Sequence, residues 1–132
     1  MSVVKILKSF RDVAMVGVSA NPDKPSNKVF KYLTENDYNV IPVNPTITEV
    51  LGKKCYATLS DIPEQVEVVD IFRRAEDIPP IVDEAIKIGA KAVWMQEGII
   101  NNAAAKKAES AGLLVVMDKC MRKEHMRLIE NE

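Results

Sequence analysis

Short runs of mostly apolar, largely β-branched residues alternate along this chain with stretches whose apolar positions recur at helical spacing, and that alternation admits few folds. The runs are Asp12 to Val18, Asn39 to Val43, Val68 to Phe72, Ala92 to Met95 and Leu113 to Met117. Each is mostly apolar on both sides of its pleat, as in strands covered on both faces. Between them, Asn27 to Asn36 sets Val29, Tyr32 and Leu33 on one face, and Glu76 to Ile88 does likewise with Ile78, Ile81, Val82, Ala85 and Ile86. Asn102 to Ala111 is a third, Ala-rich helix, and Val3 to Phe10 and Met121 to Ile129 are expected to be helical at the two ends.

The stop signals agree with this pattern. Ser26 is placed to cap the first of these helices, and Gly89 and Gly112 to close the second and third. Pro79 and Pro80 fall in a first turn, where proline is tolerated. Strand-helix repetition of this kind implies parallel strands joined by right-handed crossovers. The expected fold class is α/β, a three-layer, Rossmann-like, doubly wound and mainly parallel sheet with helices on both faces. Pro45 to Glu67 breaks the rhythm, with a short edge strand at Lys54 to Tyr56 and a helical turn near Ser60 to Gln65. Counting that strand as the third gives the order 3-2-1-4-5-6, reversing between the first strand and Val68 to Phe72.

A chain of 132 residues has room for one hydrophobic core, so residues 1–132 are read as a single domain. One functional site is expected, within the chain or shared across a homo-oligomer. With 18 basic against 19 acidic side chains no global field attracts nucleic acid or an anionic membrane surface. An anion site must come from local clustering. Cys55 and Cys120 form neither a disulfide framework nor a Cys-x-x-Cys motif, which fits a reducing, cytoplasmic setting. Met1 to Phe10 lacks the unbroken apolar core of a signal peptide, and no segment reaches the roughly 20 apolar residues that span a bilayer.

In a doubly wound sheet the ligand crevice opens at the carboxyl ends of the strands beside the reversal. After the first strand the chain reads Gly17-Val18-Ser19-Ala20-Asn21, and Pro25-Ser26-Asn27-Lys28 opens the helix. Gly17 permits a tight turn, and the amides near Ser26 and Asn27 carry the partial positive charge of a helix N-terminus. A phosphate is the natural occupant; the plainer alternative is a turn glycine and a helix cap. The run is not G-x-G-x-x-G, and the second strand ends Pro42-Val43-Asn44-Pro45 instead of in the acid that holds the ribose of NAD. NAD is therefore disfavoured. Asn44 is a candidate partner for an adenine or ribose edge, although Asn-Pro also simply initiates turns. Lys24 and Lys28 flank the first turn, Arg73 and Arg74 follow the fourth strand, and Lys119, Arg122 and Lys123 follow the last. A ligand with several phosphates matches that clustering. A guanidinium offers forked contacts, which makes Arg73 the candidate for a close phosphate contact and leaves Arg74 solvated or paired to Glu76 or Asp77. Lys24, Lys119 and Lys123 are read as solvated.

These residues resemble the coenzyme A-binding domain family, which is similar to the nucleotide-binding domain of the succinyl-CoA synthetase alpha subunit. The matching stretches are Val16-Gly17-Val18-Ser19, Pro25-Ser26-Asn27, Val40 to Pro45, Asp70-Ile71-Phe72-Arg73, Val93 to Gly98 and Asp118-Lys119-Cys120-Met121. Six in order, between Val13 and about Leu128, are quite specific together. The resemblance implies that CoA or an acyl-CoA is the ligand, its nucleotide end held over the first glycine turn. By position, Gly17, Ser19, Ser26 and Lys28 would serve the phosphates, with Val18 among the binding residues of the same turn, Val43, Asn44 and Pro45 the adenosine, and Phe72 and Arg73 the pyrophosphate region. The turn from Gln96 to Gly98 would border the pocket. The family's ligase chemistry uses a phosphorylated histidine loop, whereas the one histidine here, His125, falls in the final helix. Ligase activity does not carry over.

No catalytic residue and no metal site is read from the sequence. Cys120 and His125 lie five apart, off a shared helical face, and a single histidine without a second nearby cysteine makes a poor zinc site. Trp94 is read as core, Gln96 as a polar contact at the strand end, and Glu97 as turned outward or paired to a lysine. Cys120 is read as a small buried hydrophobe. The alternatives to a noncatalytic CoA binder are an enzyme of CoA or thiol-disulfide metabolism that uses Cys120, and an NAD(P)-binding module.

Overall fold

The computed structural model of the chain describes residues 2–130; Met1 and the last two residues of the predicted domain lie outside it. The elements run α1 (Ser2–Ser9), β1 (Asp12–Val16), α2 (Pro25–Glu35), β2 (Asn39–Val43), β3 (Glu49–Val50), β4 (Lys53–Lys54), β5 (Val68–Ile71), α3 (Ile78–Lys87), β6 (Ala92–Met95), α4 (Asn102–Ser110), β7 (Leu114–Val116) and α5 (Met121–His125). Single 3-10 turns occupy Leu59–Asp61 and Ala75–Asp77, and α5 runs on as a π-helical turn over Met126–Glu130. The fold is the expected Rossmann-like α/β class. Five parallel strands stand in the order β2-β1-β5-β6-β7, with the reversal between β1 and β5.

Alternation along the strands sorts their side chains into two cores. Ala14, Val69, Ile71, Val93 and Met95 pack with Ile78, Val82 and Ala85 of α3 and Ala104, Ala105 and Ala108 of α4. Val13, Met15, Val68 and Trp94 pack on the other face with α1, with Val29, Phe30 and Leu33 of α2, and with Met121 of α5. Trp94 is fully buried, as read, and its Nε1 donates to the Lys119 carbonyl at 2.8 Å. That bond satisfies the indole N–H, which burial otherwise leaves costly.

Three expectations need correction. The predicted third strand does not join the sheet as a strand. Lys53–Lys54 pairs instead with Glu49–Val50 as an antiparallel hairpin, and only Tyr56 bridges to Val43. The reason lies at the sheet edge, where Lys53 Nζ donates to the Val40 carbonyl at 2.9 Å and the chain turns away after one residue of pairing. A lysine covering an edge carbonyl is a common way to end a sheet. Ser26 does not cap α2. Pro25 is the first helical residue, Lys24 stands at the cap position with extended backbone, and no side chain caps the turn. Cys120 is half-buried instead of sealed in the core. Pro79 and Pro80 do sit in the first turn of α3, and Gly89 and Gly112 follow α3 and α4 at positive φ.

The tightest point is where β1 ends. Gly17 has φ +87, and a Cβ there would collide with the Phe72 carbonyl oxygen and stand 2.8 Å from Arg73 Cδ. Gly17→Ala therefore adds a steric clash to the left-handed strain, whereas Gly89→Ala, with φ +80 and open space around it, adds strain alone. Chemical denaturation should give a loss on the order of 1 kcal/mol for Gly89→Ala and about 2–3 kcal/mol for Gly17→Ala. Equal losses would show that the close approach to Phe72 carries no energetic weight.

Candidate functional site

Among the described residues, two of the clefts at the carboxyl edge of the sheet are walled by Arg73 and by Phe72 respectively, and a shallower hollow about 310 Å³ in volume lies at Phe72, Arg73, Arg74 and Asp77. The first, about 300 Å³, lies on the α3 face and is walled by Val16, Gly17, Val43, Pro45, Thr58, Leu59, Arg73 and the start of α3 at Asp77, Pro80 and Ile81. The second, about 290 Å³, lies on the α2 and α5 face among Pro25, Val29, Phe72, Gln96, Ile99 and Cys120. Each is at the small end of ligand-site volumes.

The strand ends are joined by backbone bonds. Gly17 N–H donates to the Val43 carbonyl at 2.9 Å, and Phe72 N–H to the Val16 carbonyl at 2.8 Å. Asn44 N–H reaches the Tyr56 carbonyl at 2.9 Å, which extends the edge by one residue beyond β2. The loop after Gly17 is held by buried polar side chains. Ser26 Oγ accepts from Ser19 N–H at 2.9 Å, Asn27 Nδ2 donates to the Ser19 carbonyl at 2.9 Å, and Ser19 Oγ accepts from Asn21 N–H at 3.0 Å. Asn44 Nδ2 donates to the Val18 carbonyl at 2.9 Å, while its Oδ1 accepts from Thr46 N–H and Oγ. Such staples fix the loop's shape before any ligand arrives. At the start of α2, Pro25 has no N–H and Asn27 and Lys28 both bond the Lys24 carbonyl. Among the described residues, the Ser26 amide is the one of that first turn that meets no acceptor.

The sequence-predicted residues divide accordingly. Gly17, Val43, Pro45 and Arg73 share the first cleft; Phe72 and Gln96 share the second. Val18 is fully buried beneath the loop, and Ser26 and Asn44 commit their side chains to the staples. Ser19 is likewise tied into the loop, and Gly98 N–H donates to Asp118 Oδ1 at 2.7 Å. Lys28 does not join either cleft; it borders a separate surface groove with Lys31, Tyr32, Glu35 and Arg122. Thr58 and Leu59, and Pro80 with Ile81, escape a reading of the sequence. The first pair follows the short edge segment at Tyr56, where a strand's carboxyl end is expected, and that position is the signal that points to them.

Charge at this edge is largely paired. Arg73 meets Asp77 at 3.6 Å with nearly half its side chain in solvent, and Arg74 reaches Asp77 at 3.3 Å and Glu76 at 3.9 Å. Glu97 pairs with Lys123 at 2.9 Å, as read from the sequence. Lys123 is held above the usual lysine range by Glu97, through its hydrogen bond first and its charge second. His125, 7% exposed, shares a 2.7 Å hydrogen bond between Nδ1 and Tyr32 Oη and packs edge-on against Tyr32 and Tyr38. Among the described residues no group of three or more His, Cys, Asp or Glu side chains could hold a metal.

Sequence reasoning misses a buried acid beneath the second cleft. Asp70, in the middle of β5, is fully enclosed; its Oδ1 accepts from Gln96 Nε2 and its Oδ2 has no partner. Burial raises the pKa of Asp70 to about 7, against the opposing pull of the Gln96 hydrogen bond. A lone Asp in an otherwise apolar strand is the available signal.

Comparison with known proteins gives a consistent result. A family model described as a CoA binding domain matches residues 11–126. The chain is 36% identical over 123 residues to "Uncharacterized protein YneT" of Bacillus subtilis, covering 93% of this chain and 91% of that one. It is 29% identical over 101 residues to acetate–CoA ligase [ADP-forming] II of Archaeoglobus fulgidus, covering 75% of this chain but only 15% of the ligase. Among solved structures, a hypothetical protein from Pyrococcus horikoshii superposes with a TM-score of 0.93 at 46% identity, covering 96% of this chain and 89% of that one.

Asp70 gives the site a pH signature. A carboxyl whose folded pKa lies above its unfolded value binds its proton more tightly in the native state, so its stabilising contribution is complete below about 3.8 and is lost as pH rises through about 7. Stability should therefore fall between about pH 4 and pH 7 by a few kcal/mol, since each tenfold gain in proton affinity is worth about 1.4 kcal/mol. Asp70→Asn should remove that slope, as measured by denaturant titrations across the range. A slope that survives in Asp70→Asn would assign it to other groups.

Proposed function

Because this chain belongs to the CoA-binding domain family, we propose that it is a small binding protein for coenzyme A or an acyl-CoA. In this reading residues 1–132 act as one unit. The adenosine lies in the first cleft against Val43, Asn44 and Pro45. The phosphates cross Gly17 to Ser19 near the free Ser26 amide and Arg73, and the remainder runs past Phe72 towards Gln96 and Gly98. The observation that carries the reading is the pair of clefts walled by the adjacent residues Phe72 and Arg73, the second of which bears a guanidinium. A molecule with a flat base at one end, phosphates at its bend and a slender arm at the other matches that sequence of environments. The Asn44-Pro45 end of β2, in place of an acid, argues against a nicotinamide dinucleotide in the same cleft.

We assign no catalytic step to this binding. The chain corresponds to a small part of the ligase it resembles, and His125 is committed to packing against two tyrosines. Among the described residues no helix is long and apolar enough to cross a membrane. A cytoplasmic setting, where CoA is plentiful, fits both free thiols. A homo-oligomer is compatible with the reading, since both clefts are walled by one chain.

Thermal denaturation tests the ligand class. CoA should raise the midpoint clearly, dephospho-CoA less and NAD least at equal concentration, because a ligand that binds only the native state stabilises it by mass action. Equal shifts from NAD and CoA would remove the preference for CoA.

The phosphate assignment has its own test in calorimetric titration with CoA. Arg73→Glu should weaken binding by about 10- to 100-fold, the worth of a charged hydrogen bond in a partly dry site. Lys106→Glu, the same charge change on the exposed side of α4, should leave affinity within about twofold at matched salt. A larger loss at Lys106 would mean that the ligand edge has been assigned to the wrong part of the sheet.

A further inference from the structure

The second cleft carries two groups that nucleotide binding leaves unused, the thiol of Cys120 and the carbonyl end of Gln96. Gln96 is 3% exposed and its Nε2 is committed to Asp70. Among the described residues no donor meets its Oε1, which is not among the fully enclosed orphan atoms, so this is the end that the cleft can reach. It is a cleft-facing acceptor set among the apolar walls of Pro25, Val29, Phe72 and Ile99. An incoming N–H would replace the water that such an oxygen otherwise meets. Apolar walls with one such acceptor match a narrow arm in which amide groups alternate with methylenes.

Cys120 faces the same cleft from the start of α5, and the loop that delivers it is fixed. Asp118 N–H donates to the Ile99 carbonyl at 3.2 Å, Asp118 Oδ1 takes the Gly98 N–H at 2.7 Å, and Trp94 Nε1 holds the Lys119 carbonyl at 2.8 Å. Asp118 adopts φ +58 to make this turn. The other cysteine is enclosed and engaged. Cys55 is buried, its thiol directed at the Asn44 and Tyr56 carbonyls at 3.6 and 3.8 Å, and burial pushes its pKa up. An accessible thiol on a fixed loop, beside an acceptor for an amide arm, is the arrangement needed to meet an arm that ends in sulfur.

Resting on the CoA reading above, we propose that Cys120 is a thiol-disulfide exchange site for the sulfur of the CoA arm, so that the protein captures CoA from its disulfides as a reversible covalent adduct. The Cys120 thiolate attacks one sulfur of a CoA disulfide. The bond between Cys120 Sγ and that sulfur forms as the original S–S bond breaks, and the second CoA departs as a thiolate that takes up the proton Cys120 lost. The disulfide is the oxidant, and a small thiol reverses the step in the same manner. Binding the nucleotide end in the first cleft turns the attack into an intramolecular one, which raises the effective concentration of the sulfur at Cys120.

Intact-mass measurement after incubation with CoA disulfide tests the proposal. Wild type and Cys55→Ser should each gain one CoA-sized adduct that dithiothreitol removes, and Cys120→Ser should gain none. The adduct should form about tenfold or more faster than that from glutathione disulfide at equal concentration, and desulfo-CoA should slow it by competition. No adduct on wild type, an adduct that moves to Cys55, or equal rates with the two disulfides would overturn it. The thermal midpoint of Cys120→Ser with desulfo-CoA separates the two readings, because it reports binding without sulfur chemistry. A raised midpoint without an adduct on wild type overturns the exchange site alone, while an unmoved midpoint overturns the CoA reading and this inference with it.

Discussion

β1 pairs along its length with β2 on one side and β5 on the other, and the ligand edge follows from how the chain leaves that central strand. The chain leaves β1 through α2 on one face and leaves β5 through α3 on the other, so neither crossover fills the edge between them. Gly17 lets the chain turn there at a contact distance that no side chain permits. The Phe72 carbonyl is consequently drawn close above the turn, and Phe72 and Arg73 each wall one of two clefts. The placement of the walls on both faces depends on that single close approach.

Around the turn, polar side chains serve the architecture. Ser26, Asn27 and Asn44 sit where a ligand contact is expected, yet each is bonded to the loop's own backbone. A loop left open would have to be ordered on binding, at an entropic cost taken from affinity, whereas a stapled loop presents its free amides already aimed. Asp70 is the opposite case, a carboxyl in the middle of a parallel sheet with one oxygen unpaired. Its hydrogen-bond partner is Gln96, which also lines the second cleft, so its burial links the proton balance of the core to the polarity of the cleft wall.

The same organisation bears on how the edge handles charge. Arg74 and Lys123 are neutralised by Asp77, Glu76 and Glu97, and Arg73 shares Asp77 with much of its guanidinium still in water. An exposed pair of this kind is weak and easily exchanged for a phosphate, which offers more acceptor oxygens in fork geometry. On the CoA reading, the edge would be electrically quiet when free and locally cationic where a phosphate displaces Asp77. This agrees with a chain whose overall charge is near zero.

The architecture was legible from the sequence because it is written in pattern: continuous apolar runs in the strands, period 3.6 in α2, α3 and α4, with Pro79, Pro80 and Gly89 as punctuation. Solvent exclusion on both faces of a sheet leaves no other pattern, and the strand reversal then locates a ligand edge without coordinates. Gly17, Val43, Pro45, Phe72 and Arg73 could be placed at that edge for the same reason, and Glu97 could be paired off with a lysine. Tertiary contacts decided the rest. Whether Lys54 to Tyr56 forms a strand depended on Lys53 covering the Val40 carbonyl, and whether Ser26 caps a helix depended on α2 beginning at Pro25, which leaves the Ser26 hydroxyl to Ser19. Lys28 turned to another groove, while Cys120 stayed within reach of a cleft because Trp94 and Asp118 hold its loop open. Periodicity records which side of an element faces the core; it does not record which of several competing hydrogen-bond partners, distant in the chain, arrives at a given atom, and side-chain roles at this edge turn on that competition.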